Sequence, residues 1–313
     1  MKKFKIEGKN MIILKDVRKQ LGNKEVLNSI SFHINPGESV GIIGLNGAGK
    51  TTLLNIISGI LRPDRGFIRV NGTENILSEY KMLRNVAYVS GTKSQLWRDL
   101  TIKASLENCV QMYHVDKEKA EKRLEALNEV FSIQNLLLSK PENLSLGERI
   151  RCELVYALLA ETQILMLDEA MIGLDVSIKH KIMEYFEAYK QEKKATIIFT
   201  SHNLLEMEKL CDRVILLHKG TIIFDGTIER LMNEFAPPYE MRVKIEGNLP
   251  DFEDLPLEKF SIKKDTLHIV FYRQKIETTY ILKHILKKCR IKDVKLTEPD
   301  LEGTIRKIYK REG

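Results

Sequence analysis

The stretch Gly44-Leu45-Asn46-Gly47-Ala48-Gly49-Lys50-Thr51 constrains this chain more than any other. It fits G-x-x-x-x-G-K-[ST] at every fixed position, and its surroundings fit as well. The short, almost wholly apolar run Ser39-Val40-Gly41-Ile42-Ile43 precedes it, as a buried parallel strand should. A helix is expected after it, from about Lys50 to Ser58. Glycines let the backbone curl so that its N–H groups point inward, and the helix start adds its positive dipole end. Lys50 is placed to reach the β- and γ-phosphates of a nucleotide, and the Thr51 hydroxyl to ligate Mg²⁺. The candidate nucleotide contacts therefore run through Gly44, Leu45, Asn46, Gly47, Ala48, Gly49, Lys50, Thr51 and Thr52.

A second run completes the chemistry. Ile164-Leu165-Met166-Leu167-Asp168-Glu169 is a buried strand that ends in two acids. Acids at the C-terminal end of a parallel strand face the ligand crevice. Asp168 is the candidate Mg²⁺ ligand, directly or through water, and Glu169 the candidate base for an attacking water. Strands are expected at Ala195–Thr200, Arg213–Leu217 and Thr221–Phe224, with helices near Ile178–Tyr189 and Asn203–Cys211. This alternation predicts an α/β fold with a mostly parallel sheet covered by helices. Ile12–Leu14 and Ser31–Ile34 read as a small antiparallel sheet, and Arg62-Pro63-Asp64-Arg65-Gly66 as a turn that closes the first unit. From about Ile102 to Leu138 a helical period with many Glu and Lys predicts an inserted helical subdomain.

Composition excludes several classes. The 313 residues are 43% hydrophobic and 30% charged, an ordinary globular mixture. No stretch approaches the roughly 18–20 apolar residues of a membrane span, and no apolar run follows the basic start, so neither a signal peptide nor a membrane segment is expected. The net charge of +7 is spread among interspersed acids and bases, which reads as a solvated surface and not as a nucleic-acid footprint. Cys109, Cys152, Cys211 and Cys289 lie far apart with no metal-like spacing, as reduced core thiols do.

Phosphate loops followed by acidic strands occur in several enzyme classes, and three further stretches choose among them. Leu144-Ser145-Leu146-Gly147-Glu148-Arg149 resembles the signature L-S-G-G-Q of the ABC family, with Leu146 and Glu148 as departures. Gly173-Leu174-Asp175 follows the two acids at the spacing of that family's D-loop. Thr200-Ser201-His202 ends a strand where its switch histidine sits. Across about residues 10–235 the chain resembles the ATP-binding subunits of ABC transporters. Within them it is most similar to the ATPases that pair with ABC-2-type permeases, mostly exporters, on the stretches Ser94–Leu100, Arg151–Leu154 and Ile172–Val176.

The resemblance implies a P-loop NTPase (RecA-like) core with a small antiparallel β subdomain and a helical subdomain at about 95–155. It implies ATP and Mg²⁺ as ligands, and a head-to-tail dimer with a second copy or a homologous subunit. In such a dimer Ser145, Gly147 and Glu148 cap the nucleotide of the neighbour, and His202 joins Glu169 in catalysis. It also implies a separate transmembrane permease, no nucleic-acid partner, and a place in the cytoplasm against the inner face of the membrane. Some positions depart from the family. Leu21 stands where an aromatic residue stacks on adenine. The Q-loop glutamine is missing near Gly91 and Thr92, so either Gln95 reaches Mg²⁺ or Thr92 or water replaces it. Trp97, with Leu96 and Leu100, is either the floor of a permease contact or ordinary packing. The alternative function class, a soluble ABC ATPase acting on DNA or in translation, is opposed by the short interval from Lys50 to Ser145 and by the single motif set. Ala236-Pro237-Pro238 is read as a boundary between residues 1–235 and a small α+β domain at 239–313.

Overall fold

The computed structural model describes residues 11–74, 85–91, 93–201, 203–247, 251, 252 and 254–312. Thr92 and His202 lie outside them. The chain divides into two compact units, Met1–Ile228 and Glu229–Gly313, so helix Ile228–Phe235 goes with the second unit and the division falls ahead of the proline pair.

In chain order the first unit contains β1 (Ile12–Leu21), β2 (Lys24–Ile34), β3 (Ser39–Gly44), α1 (Lys50–Ile57), β4 (Arg65–Val70) and β5 (Val86–Ser90). It continues with α2 (Ile102–Met112), α3 (Lys117–Phe131), α4 (Leu146–Leu159), β6 (Ile164–Asp168) and α5 (Val176–Lys193). β7 (Thr196–Thr200), α6 (Leu204–Leu210), β8 (Arg213–His218) and β9 (Thr221–Gly226) close it.

The main sheet has the order β5-β6-β7-β3-β8-β9. All neighbours are parallel except β8 and β9. β6 and β7 are buried at every residue, as strands covered on both faces must be. Because β3, β6 and β7 run the same way, the loops after them open at one edge of the sheet. That edge carries the site.

A second sheet, β2-β1-β4, is antiparallel. The expected pair is present, with Ile12 opposite Ile34 and Leu14 opposite Phe32. The expected turn at Arg62–Gly66 is corrected at its end: Arg65 and Gly66 open β4, which takes the free edge of β1 with Lys15 opposite Phe67 and Ile12 opposite Val70. Ile68 and Val70 alternate into the core, the period-2 pattern of a half-buried strand. Arg213 clamps strands together near the start of β3. Its guanidinium donates to both Asp225 oxygens at 2.5 and 2.6 Å, to Glu38 Oε1 at 3.1 Å and to the His33 carbonyl at 2.9 Å, the forked geometry that suits arginine.

The helical stretch breaks where side chains cap it. Thr101 Oγ1 accepts from Ala104 N at the start of α2, and Asp116 Oδ1 from Lys119 N at the start of α3. Beyond Phe131 the helical period expected to run to Leu138 is met by a short 3₁₀ turn, Gln134–Leu136.

The second unit runs α7 (Ile228–Phe235), β10 (Tyr239–Gly247), β11 (Lys259–Lys263), β12 (Thr266–Phe271), α8 (Thr278–Leu286), β13 (Cys289–Thr297) and α9 (Leu301–Glu312). Its antiparallel sheet has the order β11-β12-β10-β13. Met241, Val243 and Ile245 alternate inward and meet Leu267, Ile269 and Phe271, with Ile281 and Ile285 of α8 in the same core.

Candidate functional site

The loop between β3 and α1 is shaped by its glycines. Gly49 sits at φ 105°, in the left-handed region, and caps α1. A Cβ there would lie 2.7 Å from Leu27 Cδ2 and 2.9 Å from the Val26 carbonyl, so only glycine fits. Lys50 is buried and its Nζ donates to the carbonyl of Gly44, at the other end of the loop, at 2.8 Å. That bond closes the loop into a cradle around the exposed Leu45, Asn46 and Gly47. Burial lowers the pKa of Lys50, while the charges of Glu169 and Asp168 pull it back up. The two acids are thus electrostatic neighbours of the ammonium, although far away in sequence. Thr51 is exposed and Thr52 half-buried in the first turn of α1.

At the end of β6 the Asp168 carboxylate is buried and held from both flanking strands. Thr200 Oγ1, on β7, donates to Oδ1 at 2.6 Å, and the Tyr88 hydroxyl, on β5, donates to Oδ2 at 3.1 Å. Burial, then the charge of Asp168, raises the Tyr88 pKa, which keeps the phenol a donor. Thr200 Oγ1 also accepts from the Glu169 amide at 3.0 Å, and the Thr200 carbonyl accepts from the same amide at 3.1 Å. Glu169 itself sits at φ 54°, a conformation uncommon for a glutamate.

The third element is the start of α4. Ser145 Oγ accepts from Glu148 N at 3.3 Å. In return the Glu148 carboxylate accepts from Ser145 N at 2.9 Å and from Ser145 Oγ at 2.7 Å. This is a capping box, and the hydrogen bonds from Ser145 lower the Glu148 pKa. Glu148 therefore builds the helix start, a role that a glutamine at this position would also fill. Gly147 abuts Gly173: a Cβ on Gly147 would lie 2.6 Å from the Gly173 carbonyl. Leu146, Ile172 and Val176 around this junction are exposed.

Comparison with known proteins decides the family. The ABC transporter family model matches residues 27–172. The ABC transporter ATP-binding protein NatA of Bacillus subtilis (strain 168) is 31% identical over 225 residues, 71% of this chain and 91% of that protein. The chain belongs to the ABC transporter ATP-binding proteins. The Nod factor export ATP-binding protein I of Rhizobium etli is 32% identical over 219 residues, 70% of this chain and 69% of that protein. Among solved structures, a dimeric ATP-binding cassette in a post-hydrolysis state bound to ADP and Pi has a TM-score of 0.64 at 24% identity, over 70% of this chain and 99% of that one; it shares the fold.

As an ABC ATP-binding protein the chain is an ATPase of the transporter class, and the DNA or translation alternative is not favoured. No helix among the described residues is long and apolar enough to cross a membrane. Of the residues expected from the sequence, this ABC fold gathers the Gly44–Thr52 cradle and the acids Asp168 and Glu169 at one sheet edge. Ser145, Gly147 and Glu148 form a separate, partly exposed helix start beside the Gly173 turn. Leu21 is exposed.

Three side chains hold candidate site residues in roles that the sequence does not disclose. Tyr88 and Thr200 hold Asp168, and Glu153 holds the segment that contains Gln95. Glu153 is buried on α4, and its carboxylate accepts from the Gln95 amide at 3.1 and 3.0 Å. Burial raises the Glu153 pKa, and bonds from Ser94 and Gln95 lower it. An acid in the midst of the apolar run Cys152–Leu159 is the one signal that could have pointed to it.

Proposed function

We propose that this chain binds Mg·ATP in the Gly44–Thr52 cradle and hydrolyses it with Glu169 as base, energising outward transport through a separate ABC-2-type permease. The observation that carries the reading is that the cradle after β3, closed by the Lys50 to Gly44 hydrogen bond, and the acids at the end of β6 open at the same edge of the sheet. The donor set suits magnesium: a hydroxyl at Thr51 and one carboxylate at Asp168 are hard oxygens, and this metal takes most of its remaining ligands from phosphates and water. When bound, the metal neutralises charge on the transferring phosphoryl group. The chain's own part is to wrap the phosphates with loop amides, to hold them with Lys50, and to accept a proton from water at Glu169. His202 is proposed to orient that water, and Gln95 to add a ligand from the segment anchored by Glu153.

Two subunits pair head to tail in this reading. Ser145 is exposed and the α4 start behind it partly so, as a group that serves a neighbour's nucleotide must be, and Leu146, Ile172 and Val176 offer apolar surface beside them. Glu148 acts there by ordering Ser145. Leu96 is buried and Trp97 is 51% exposed, so Trp97 is offered as the permease contact. The kinship to a Nod factor export protein supports the reading as outward transport. The subunit then sits at the inner face of the membrane, where the ATP is. Residues 239–313 are assigned to dimer contact or regulation.

The test is Glu169→Gln. The variant should bind ATP with unchanged affinity, accumulate as a dimer by light scattering, and release phosphate at least a hundredfold more slowly, within the range expected when general base catalysis is removed. Full turnover in the variant overturns the assignment.

A further inference from the structure

Asp168 is gripped from two sides, and the two grips differ. Thr200 touches Oδ1 and also holds the Glu169 amide, so it belongs to the geometry of the whole strand end. Of the carboxylate Tyr88 touches only Oδ2, reaching it from β5, the edge strand of the sheet, and its hydroxyl also shares a hydrogen bond with Ser90 two residues along. Ser90, not Tyr88, stands directly opposite Asp168 in the ladder. The phenol spans two residues along the strand to find the carboxylate, on the same face of the pleat. A phenylalanine would fill the same space against the core, which Tyr88 already packs. The hydroxyl is what that packing does not require.

A carboxylate that ligates a metal is aimed by whatever occupies its other lone pairs, and such supporting partners commonly shift metal affinity by about ten- to a hundredfold. We infer that Tyr88 is a positioning residue for the metal: its hydroxyl fixes the Oδ2 side of Asp168 so that, with Oδ1 on Thr200, the carboxylate presents one orientation to the magnesium of the nucleotide. This rests on the reading of Asp168 as the metal ligand. Toward the metal, Tyr88 acts through Asp168, whose carboxylate its hydroxyl reaches.

The experiment measures binding of a fluorescent ATP analogue to the full chain, with EDTA and across a magnesium titration, in the parent, Tyr88→Phe, Tyr88→Met and Asp168→Asn. Affinity in EDTA should be the same for the parent and both Tyr88 variants, because the cradle is untouched. The magnesium concentration that half-restores tight binding should rise about tenfold in Tyr88→Phe and by a similar factor in Tyr88→Met, which keeps apolar bulk without the hydroxyl. With Mn²⁺ in place of magnesium, the paramagnetic resonance spectrum of the bound metal should broaden in both. A half-saturation equal to the parent's in both Tyr88 variants, alongside a loss of magnesium dependence in Asp168→Asn, overturns the role of Tyr88 and leaves Asp168 as ligand. Magnesium dependence unchanged in Asp168→Asn overturns the metal-ligand reading itself. A drop in EDTA affinity in the Tyr88 variants overturns the inference in favour of a packing role.

Discussion

Lys50 is the residue on which the cradle turns. Its ammonium bonds the Gly44 carbonyl at 2.8 Å, which leaves further N–H donors for phosphate oxygens. Replacing it removes both the bond that shapes the loop and the charge that faces the nucleotide. Lys50→Ala should weaken ATP binding by about 3 kcal/mol, roughly a hundredfold in Kd, the scale of a hydrogen bond to a charged group. Calorimetric titration checks this, and unchanged affinity refutes the cradle. Lys50 was legible in the sequence because a phosphate loop needs its residues consecutive. Tyr88 and Thr200 were not, for the opposite reason. Their bonds to Asp168 bridge 80 and 32 residues of chain and exist only in a particular strand register. Nothing in the local pattern Ala87-Tyr88-Val89-Ser90 distinguishes a phenol that aims a carboxylate from one that packs a strand.

At the scale of elements, the start of α4 and the turn at Gly173 are fitted to each other without slack. Gly147→Ala would place a Cβ 2.6 Å from the Gly173 carbonyl, a backbone atom that moves only if its turn moves. Such overpacking costs about 1–3 kcal/mol, and urea unfolding of the chain should show a loss of that size. The family motif alone shows a small residue here but not what it clears. The elements themselves were largely readable, because buried strands announce themselves as apolar runs and helices by their caps. β4 was not. Its opening residues, Arg65 and Gly66, carry turn chemistry, and only the free edge of β1 makes them a strand.

On the scale of the whole molecule, burial decides the chemistry of the thiols. Cys109, Cys152 and Cys211 are pushed up to about 12 by burial, and Cys289 is buried as well. The native chain should react negligibly with a disulfide reagent at neutral pH and release four equivalents once unfolded. Rapid labelling of the native chain would contradict the packing of both units. The expected reading of these cysteines as core thiols needed only their spacing. The order of the main sheet needed more than sequence, since alternation of strands and helices says that a sheet exists but not which strand lies beside which.

That order has a consequence of its own. One strand, β7, stands between the strand that feeds the phosphate loop and the strand that ends in the acids. Strands repeat at about 4.8 Å, so the two halves of the site are separated by a backbone ruler of about 10 Å, graduated in peptide hydrogen bonds. Side chains on either half can be exchanged without altering that gauge. Drift in the nucleotide pocket can retune affinity and rate, while the span between grip and base stays locked to the lattice of the sheet.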